Sequence, residues 1–326
     1  MTESSPLQPS RTGDNPDTAP DDLAVPGVLS FNGIDPTGAG GLTGDALTVA
    51  SVGAHLLPVG TGHWLRDSRE TAAFLGLDDA LVAEQARLVA EDMQLQVVKA
   101  GFLGSAENVA AVAAFAADYA DLPVVAYMPD LTWWDEQDID SYLDAFRSLL
   151  LPQTAVLVGN NSTLRHWLLP ESSTRAQSSV TDLALAAAEW GVPFVLATGV
   201  SQADGQIGCV LASAKEELAA LQVERIEARF LGAGDTLSAA LAGLLACGTP
   251  LEEAALQAMQ YLDQALDHGF HPGMGRALPD RLFWAQPDPD EAGDNGPGPE
   301  SPSSDDLPPS PEGFVIAPRI PHDTQH

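Results

Sequence analysis

An α/β fold with a mainly parallel sheet and helices on both faces is predicted by three observations. Short apolar runs alternate with amphipathic segments from about residue 27 to residue 284. Two glycine-rich loops stand at strand-to-helix junctions near opposite ends of that span. The chain has 326 residues, 45% of them hydrophobic, which is ample for one large core or two modest ones.

Taken in order, residues 1 to 26 are rich in Ser, Thr, Pro and Asp without periodicity, which predicts a disordered leader. Val28-Leu29-Ser30-Phe31 reads as the first strand, followed by a glycine loop and a helix from about Leu42 to Val52. Leu56-Leu57-Pro58-Val59 is the next strand. A helix over about Asp79–Asp92 leads to a strand at Leu95–Lys99, and one over about Ala106–Ala120 leads to a strand at Val124–Met128. The spacing then predicts a helix over Ile139–Leu150 before a strand at Ala155–Val158, and a helix over Thr181–Trp190 before a strand at Phe194–Ala197. Gly208–Leu211 and Leu221–Val223 suggest a hairpin at the sheet edge. Leu237, Leu241, Leu244 and Leu245 recur at helical spacing, with Gly248 and Pro250 as a stop. Leu251–His268 is a last long helix. From residue 285 to 326 the chain holds ten prolines and nine acidic residues against one arginine, which predicts a disordered tail.

The formal charge is −32, from 46 acidic and 14 basic residues, and the lysines are Lys99 and Lys215 alone. Such a field repels nucleic acid and anionic membranes, but leaves room for an anionic small molecule at a local positive site. Cys209 and Cys247 supply neither a disulfide framework nor a metal cluster, and both are expected as small core residues. The first residues lack a basic stretch followed by an apolar run, and no apolar stretch is long enough to span a bilayer. A cytoplasmic location is expected.

Chemistry concentrates at the two loops. In Gly232-Ala233-Gly234-Asp235-Thr236 the small residues allow close backbone approach, and the free amides at a helix start favour an anion. Asp235 among them is placed to take a proton from a hydroxyl attacking a phosphoryl group. Alone, this stretch also reads as a capped helix after a glycine turn. The earlier loop, Gly33-Ile34-Asp35-Pro36-Thr37-Gly38-Ala39-Gly40-Gly41-Leu42-Thr43-Gly44-Asp45, fits neither the dinucleotide fingerprint nor the P-loop. From the residues alone Asp45 reads as a helix cap. Lys99, at a strand end, needs a polar or phosphate partner. His55, His63 and His166 lack metal-ligand spacing, and Trp133-Trp134 reads as core, flap or interface.

The first loop, the Val97-Val98-Lys99-Ala100-Gly101-Phe102-Leu103 segment and the Gly232–Ala240 stretch, in this order and spacing, resemble hydroxymethylpyrimidine/phosphomethylpyrimidine kinases of the ribokinase-like superfamily. The resemblance covers essentially the whole span 27–284. It implies a three-layer α/β/α fold, ATP with Mg2+, and phosphorylation of a pyrimidine hydroxymethyl group and then of its monophosphate. It places Gly232, Ala233 and Gly234 as the anion hole and Asp235 as the base, where the family usually has cysteine and related sugar and vitamer kinases have aspartate. Gly33, Asp35, Gly40 and Asp45 fall on the acceptor side. Arg66 and Phe102 stand where the family has a glutamine that reads the pyrimidine and a methionine that touches it. Lys99, Asn160, Asn161, Thr198 and Gly199 fall on the nucleotide side, without the glutamate of Asn-x-x-Glu or the lysine of Lys-Gly-Gly. No protein ligand to the metal is assigned. These departures keep two other readings open: a kinase for a pyridoxal-type vitamer, and a non-catalytic ligand sensor. The resemblance also leaves a homodimer open.

Overall fold

The computed structural model describes residues 25–169, 178–201, 206–223, 226 and 228–285. The expected leader up to residue 24 and the expected tail from residue 286 lie outside the described residues. Strand β1 (Gly27–Ile34) leads into helix α1 (Gly41–Ser51), and β2 (His55–Arg66) turns back into β3 (Thr71–Gly76). Helix α2 (Asp79–Asp92), β4 (Val97–Ala100), α3 (Ala106–Asp118) and β5 (Val124–Met128) follow. Helix α4 (Glu136–Ala145) and a π-helical turn (Phe146–Leu150) precede β6 (Val156–Asn160), α5 (Asn161–Leu168), α6 (Val180–Ala188) and β7 (Phe194–Ser201). The hairpin β8 (Ile207–Ser213) and β9 (Glu217–Val223) comes next, then α7 (Ala233–Ala246) and α8 (Leu251–Asp267).

The strands form one sheet in the order β3-β2-β1-β4-β5-β6-β7-β8-β9. Strands β2, β1, β4, β5, β6 and β7 run parallel, while β3, β8 and β9 pair antiparallel at the two edges. Successive residues of the central strands serve opposite faces, as the two-residue period of a strand requires. Val97, Val125 and Val156 pack with Leu237, Leu241 and Ala258 under α1, α7 and α8. Val98, Ala126 and Leu157 pack with Val112, Phe115 and Leu183 under α2 to α6. This is the expected three-layer α/β/α arrangement, with a mainly parallel sheet between two helical layers.

Four local expectations change. The sequence pattern assigns no strand after Arg66, but Asp67 closes a tight turn by accepting from the amides of Arg69 (2.7 Å) and Glu70 (2.9 Å), and β3 then pairs back on β2. Asn160 caps a short helix, α5, that apolar periodicity alone did not announce. The helix expected over 139–150 begins earlier and ends in the π-helical turn. Cys209 is buried as expected, whereas Cys247, at the end of α7, is exposed. Among the described residues no helix is long and apolar enough to cross a membrane.

The order reverses at β1, whose neighbours are β2 on one side and β4 on the other. Beyond the carboxyl ends of such strands the diverging connections leave a crevice. Both glycine loops open there.

Candidate active site

Helices α2 to α6 are each capped by the side chain of the preceding residue: Asp78, Ser105, Asp135, Asn160 and Ser179. Helices α1 and α7 begin instead on Gly40 and Gly232, which have no side chain to offer. Gly232 has φ +86°, in the left-handed region, and a Cβ there would collide with the Ala39 carbonyl. The first amides of α7 therefore stay uncapped and close to the first loop.

That loop is wound around Asp35. Its carboxylate accepts from the Thr37 amide (3.0 Å), the Thr37 hydroxyl (2.8 Å), the Gly40 amide (2.9 Å) and Arg66 Nε (3.0 Å), and pairs again with Arg66 Nη2. Burial acts to raise the Asp35 pKa, but the Arg66 guanidinium and the Thr37 donors outweigh it and hold the carboxyl below its usual range. The guanidinium itself lies 4.6 Å from the centre of the Trp64 ring.

Asp235, on the first turn of α7, is held from the other side of the crevice. Asn32, at the end of β1, donates Nδ2 to Asp235 (2.8 Å) and to Asp45 (3.1 Å). Its Oδ1 accepts from the amides of Gly33 (2.9 Å) and Phe102 (3.2 Å), which fixes the amide orientation. Lys99 lies 3.0 Å from Asp45 and 3.7 Å from Asp235. The Asp45 carboxylate also accepts from Ser30 Oγ at 2.7 Å. Its burial, helped by Asp235 nearby, raises its pKa despite Lys99.

A cavity of about 490 Å3 opens over this network. Gly232, Ala233, Gly234 and Asp235 form its floor together with Asn32, and Arg66, Phe102, Asn160 and Thr198 contribute to its walls. Trp64, Phe102 and Trp133 make an aromatic side, with ring centres 5.0 Å apart for Trp64–Phe102 and for Trp64–Trp133. Of the residues singled out in the sequence, Gly33, Asp35, Gly40, Asp45, Lys99, Asn161 and Gly199 do not line this cavity. Lys99, expected beside a nucleotide, is instead fully buried between two carboxylates. Arg66 turns inward to Asp35 rather than pairing with Asp67 or Glu70. Gly199 (φ +68°) packs against the Asn160 side chain, and Asn161 is buried with its Oδ1 unpartnered.

Three residues at the site were not singled out in the sequence. Asn32 follows an apolar strand and carried no motif signal beyond its place before the loop. Tyr127 reads as one more residue of a buried strand. Arg281, buried near the end of the folded span, donates to Thr236 Oγ1 (3.1 Å), to the Gly38 carbonyl (3.3 Å) and to the Ala39 carbonyl. Among the described residues, no group of three or more His, Cys, Asp or Glu is placed to hold a metal ion.

The sequence model described as phosphomethylpyrimidine kinase matches residues 35–280, from the first loop to the residue before Arg281. The chain belongs to that family. It is a phosphotransferase. A hydroxymethylpyrimidine/phosphomethylpyrimidine kinase of Streptomyces coelicolor is 30% identical over 258 residues, 78% of this chain and 93% of the relative. Among solved structures, an ADP complex of Bacillus subtilis pyridoxal kinase aligns with a TM-score of 0.70 at 19% identity, over 80% of this chain and 99% of that one. A phosphomethylpyrimidine kinase of Clostridium difficile aligns with a TM-score of 0.60 at 19% identity, over 74% of this chain and 99% of that one. These two likenesses bear on the fold.

Proposed function

We propose that this family member transfers the γ-phosphoryl group of ATP to 4-amino-5-hydroxymethyl-2-methylpyrimidine and then to its monophosphate, a step of thiamine biosynthesis. The observation that carries the proposal is Asp235: a carboxylate fixed by Asn32 on the first turn of an uncapped helix, on the floor of a cavity with an aromatic side. The flat faces of Trp64, Phe102 and Trp133 suit a heteroaromatic ring. With the ring there, its hydroxymethyl oxygen would lie between Asp235 and the α7 amides.

In the reaction the acceptor hydroxyl forms a bond to the γ-phosphorus while the bond to the β–γ bridging oxygen breaks, and ADP leaves with that electron pair. The hydroxyl proton goes to Asp235. The uncapped amides at Gly232–Gly234 meet the charge on the moving group without reorganising. A magnesium ion on the triphosphate needs only one or two protein oxygens; Asp130 and Asn160 line the cavity and could supply them, and the ion would offset phosphate charge.

A pyridoxal-type vitamer is the second reading, favoured by the Arg66 guanidinium on the wall, which suits an acceptor with an acidic ring hydroxyl. Release of ADP with each acceptor, in the presence of magnesium, separates the two. Asp235→Asn should lower kcat by about 10²- to 10⁴-fold. Turnover retained in that variant would remove Asp235 from the role of base.

A further inference from the structure

Tyr127 stands at the carboxyl end of β5, paired with Val158 of β6, and its side chain reaches toward the start of α7. Its ring and hydroxyl lie so close to Gly234 that a Cβ on that glycine would collide with Oη, Cε2 and Cζ. The side chain lines the same cavity as Asp235 and Gly232–Gly234. Every other polar side chain in this floor is engaged: Asp235 by Asn32 and Lys99, and Asn32 by four partners. Among the described residues the Tyr127 hydroxyl makes no hydrogen bond. The phenol is half-buried, faces the cavity beside uncapped helix amides, and has a donor that no protein group takes up, so a ligand entering the cavity meets it ready to donate.

We infer that Tyr127 donates a hydrogen bond to the γ-phosphoryl group, making it a fourth donor of the anion hole and a further catalytic residue. This rests on the kinase reading above. Burial, reinforced by the negative charge of Asp235, raises the Tyr127 pKa, so the phenol keeps its proton and acts as a donor only. It neither gains nor loses the proton during transfer; the hydroxyl proton of the acceptor still goes to Asp235. The geometry also accounts for glycine at 234: any side chain there would displace the phenol.

The test is Tyr127→Phe, which keeps the ring, its packing and the Gly234 contact while deleting the donor. ATP and ADP are titrated calorimetrically into both proteins in magnesium buffer, and ADP release is followed with hydroxymethylpyrimidine. A bond to the γ-phosphoryl group predicts unchanged ADP affinity, ATP affinity about tenfold weaker, and kcat about 10²-fold lower at unchanged acceptor KM, the scale of losing one donor from an anion hole. A variant with wild-type ATP-over-ADP preference and wild-type turnover would make Tyr127 a space-filling ring and overturn the inference. If the wild type binds neither nucleotide, both the kinase reading and this role fall. If it prefers ATP but ignores the pyrimidine, only the acceptor assignment fails, and the nucleotide titrations still decide Tyr127.

Discussion

At Lys99 a single ammonium lies between two carboxylates in a place that water does not reach, 3.0 Å from Asp45 and 3.7 Å from Asp235. A charge so buried is tolerable only with partners, and removing one partner leaves the other uncompensated. Lys99→Met should therefore cost about 3–5 kcal/mol in urea unfolding, and adding Asp45→Asn should restore much of it. A loss below about 1 kcal/mol would mean that the cluster holds its charges some other way. The same argument explains why the sequence placed Lys99 at the nucleotide. A strand-end lysine demands an anion, and the motif could not say whether a phosphate or a distant aspartate supplies it. Asp35 and Arg66 repeat the lesson, since Arg66 has closer acids in the sequence at Asp67 and Glu70 but closes on Asp35 in the fold.

Among the elements, the relation between the first loop and α7 matters most, because the proposed function puts the acceptor side on one and the anion hole on the other. Arg281 fixes it, with one guanidinium shared between Thr236 on α7 and the carbonyls of Gly38 and Ala39. Its own carbonyl accepts from Ser51 Oγ (2.9 Å) at the end of α1 and from Tyr261 Oη (2.7 Å) on α8. Hydrogen bonds to a charged donor of this kind are worth about 1.5–3 kcal/mol. Arg281→Ala should destabilise by about that amount and speed amide exchange at residues 38–41, with Arg281→Lys between the two. Unchanged exchange there would show that the glycine loop holds itself. Sequence periodicity could not reveal this contact, which joins positions 242 residues apart.

The molecule as a whole carries a formal charge of −32, and like charges at that density repel within the folded state. Salt screens repulsion between exposed charges, whereas the buried pairs at Asp35 and Lys99 are sheltered from it. The melting temperature should rise as sodium chloride is increased from about 0.05 to 0.5 M, where the Debye length falls below 10 Å. A melting temperature that fell with salt would mean that exposed ion pairs, such as Arg87 with Glu84 and Glu91, outweigh the repulsion. At this scale the sheet also sets the site, because the reversal of strand order at β1 is what opens a crevice over Asn32 and Asp235.

The sequence by itself determined the layered α/β fold, the strands and helices of its centre and the two glycine loops. Apolar periodicity and glycine spacing are local properties that a chain carries before it folds. It also determined the family, through three motifs kept in order. Tertiary structure alone decided which charges meet: Asp35 with Arg66, Lys99 between Asp45 and Asp235, Arg281 across both loops. It alone brought Asn32 and Tyr127 to the cavity floor, and it gave β3 its pairing on β2. The reason is the same in each case: a buried polar group takes whichever partner the packed chain brings within hydrogen-bonding distance, and that distance is set by the fold rather than by separation along the sequence.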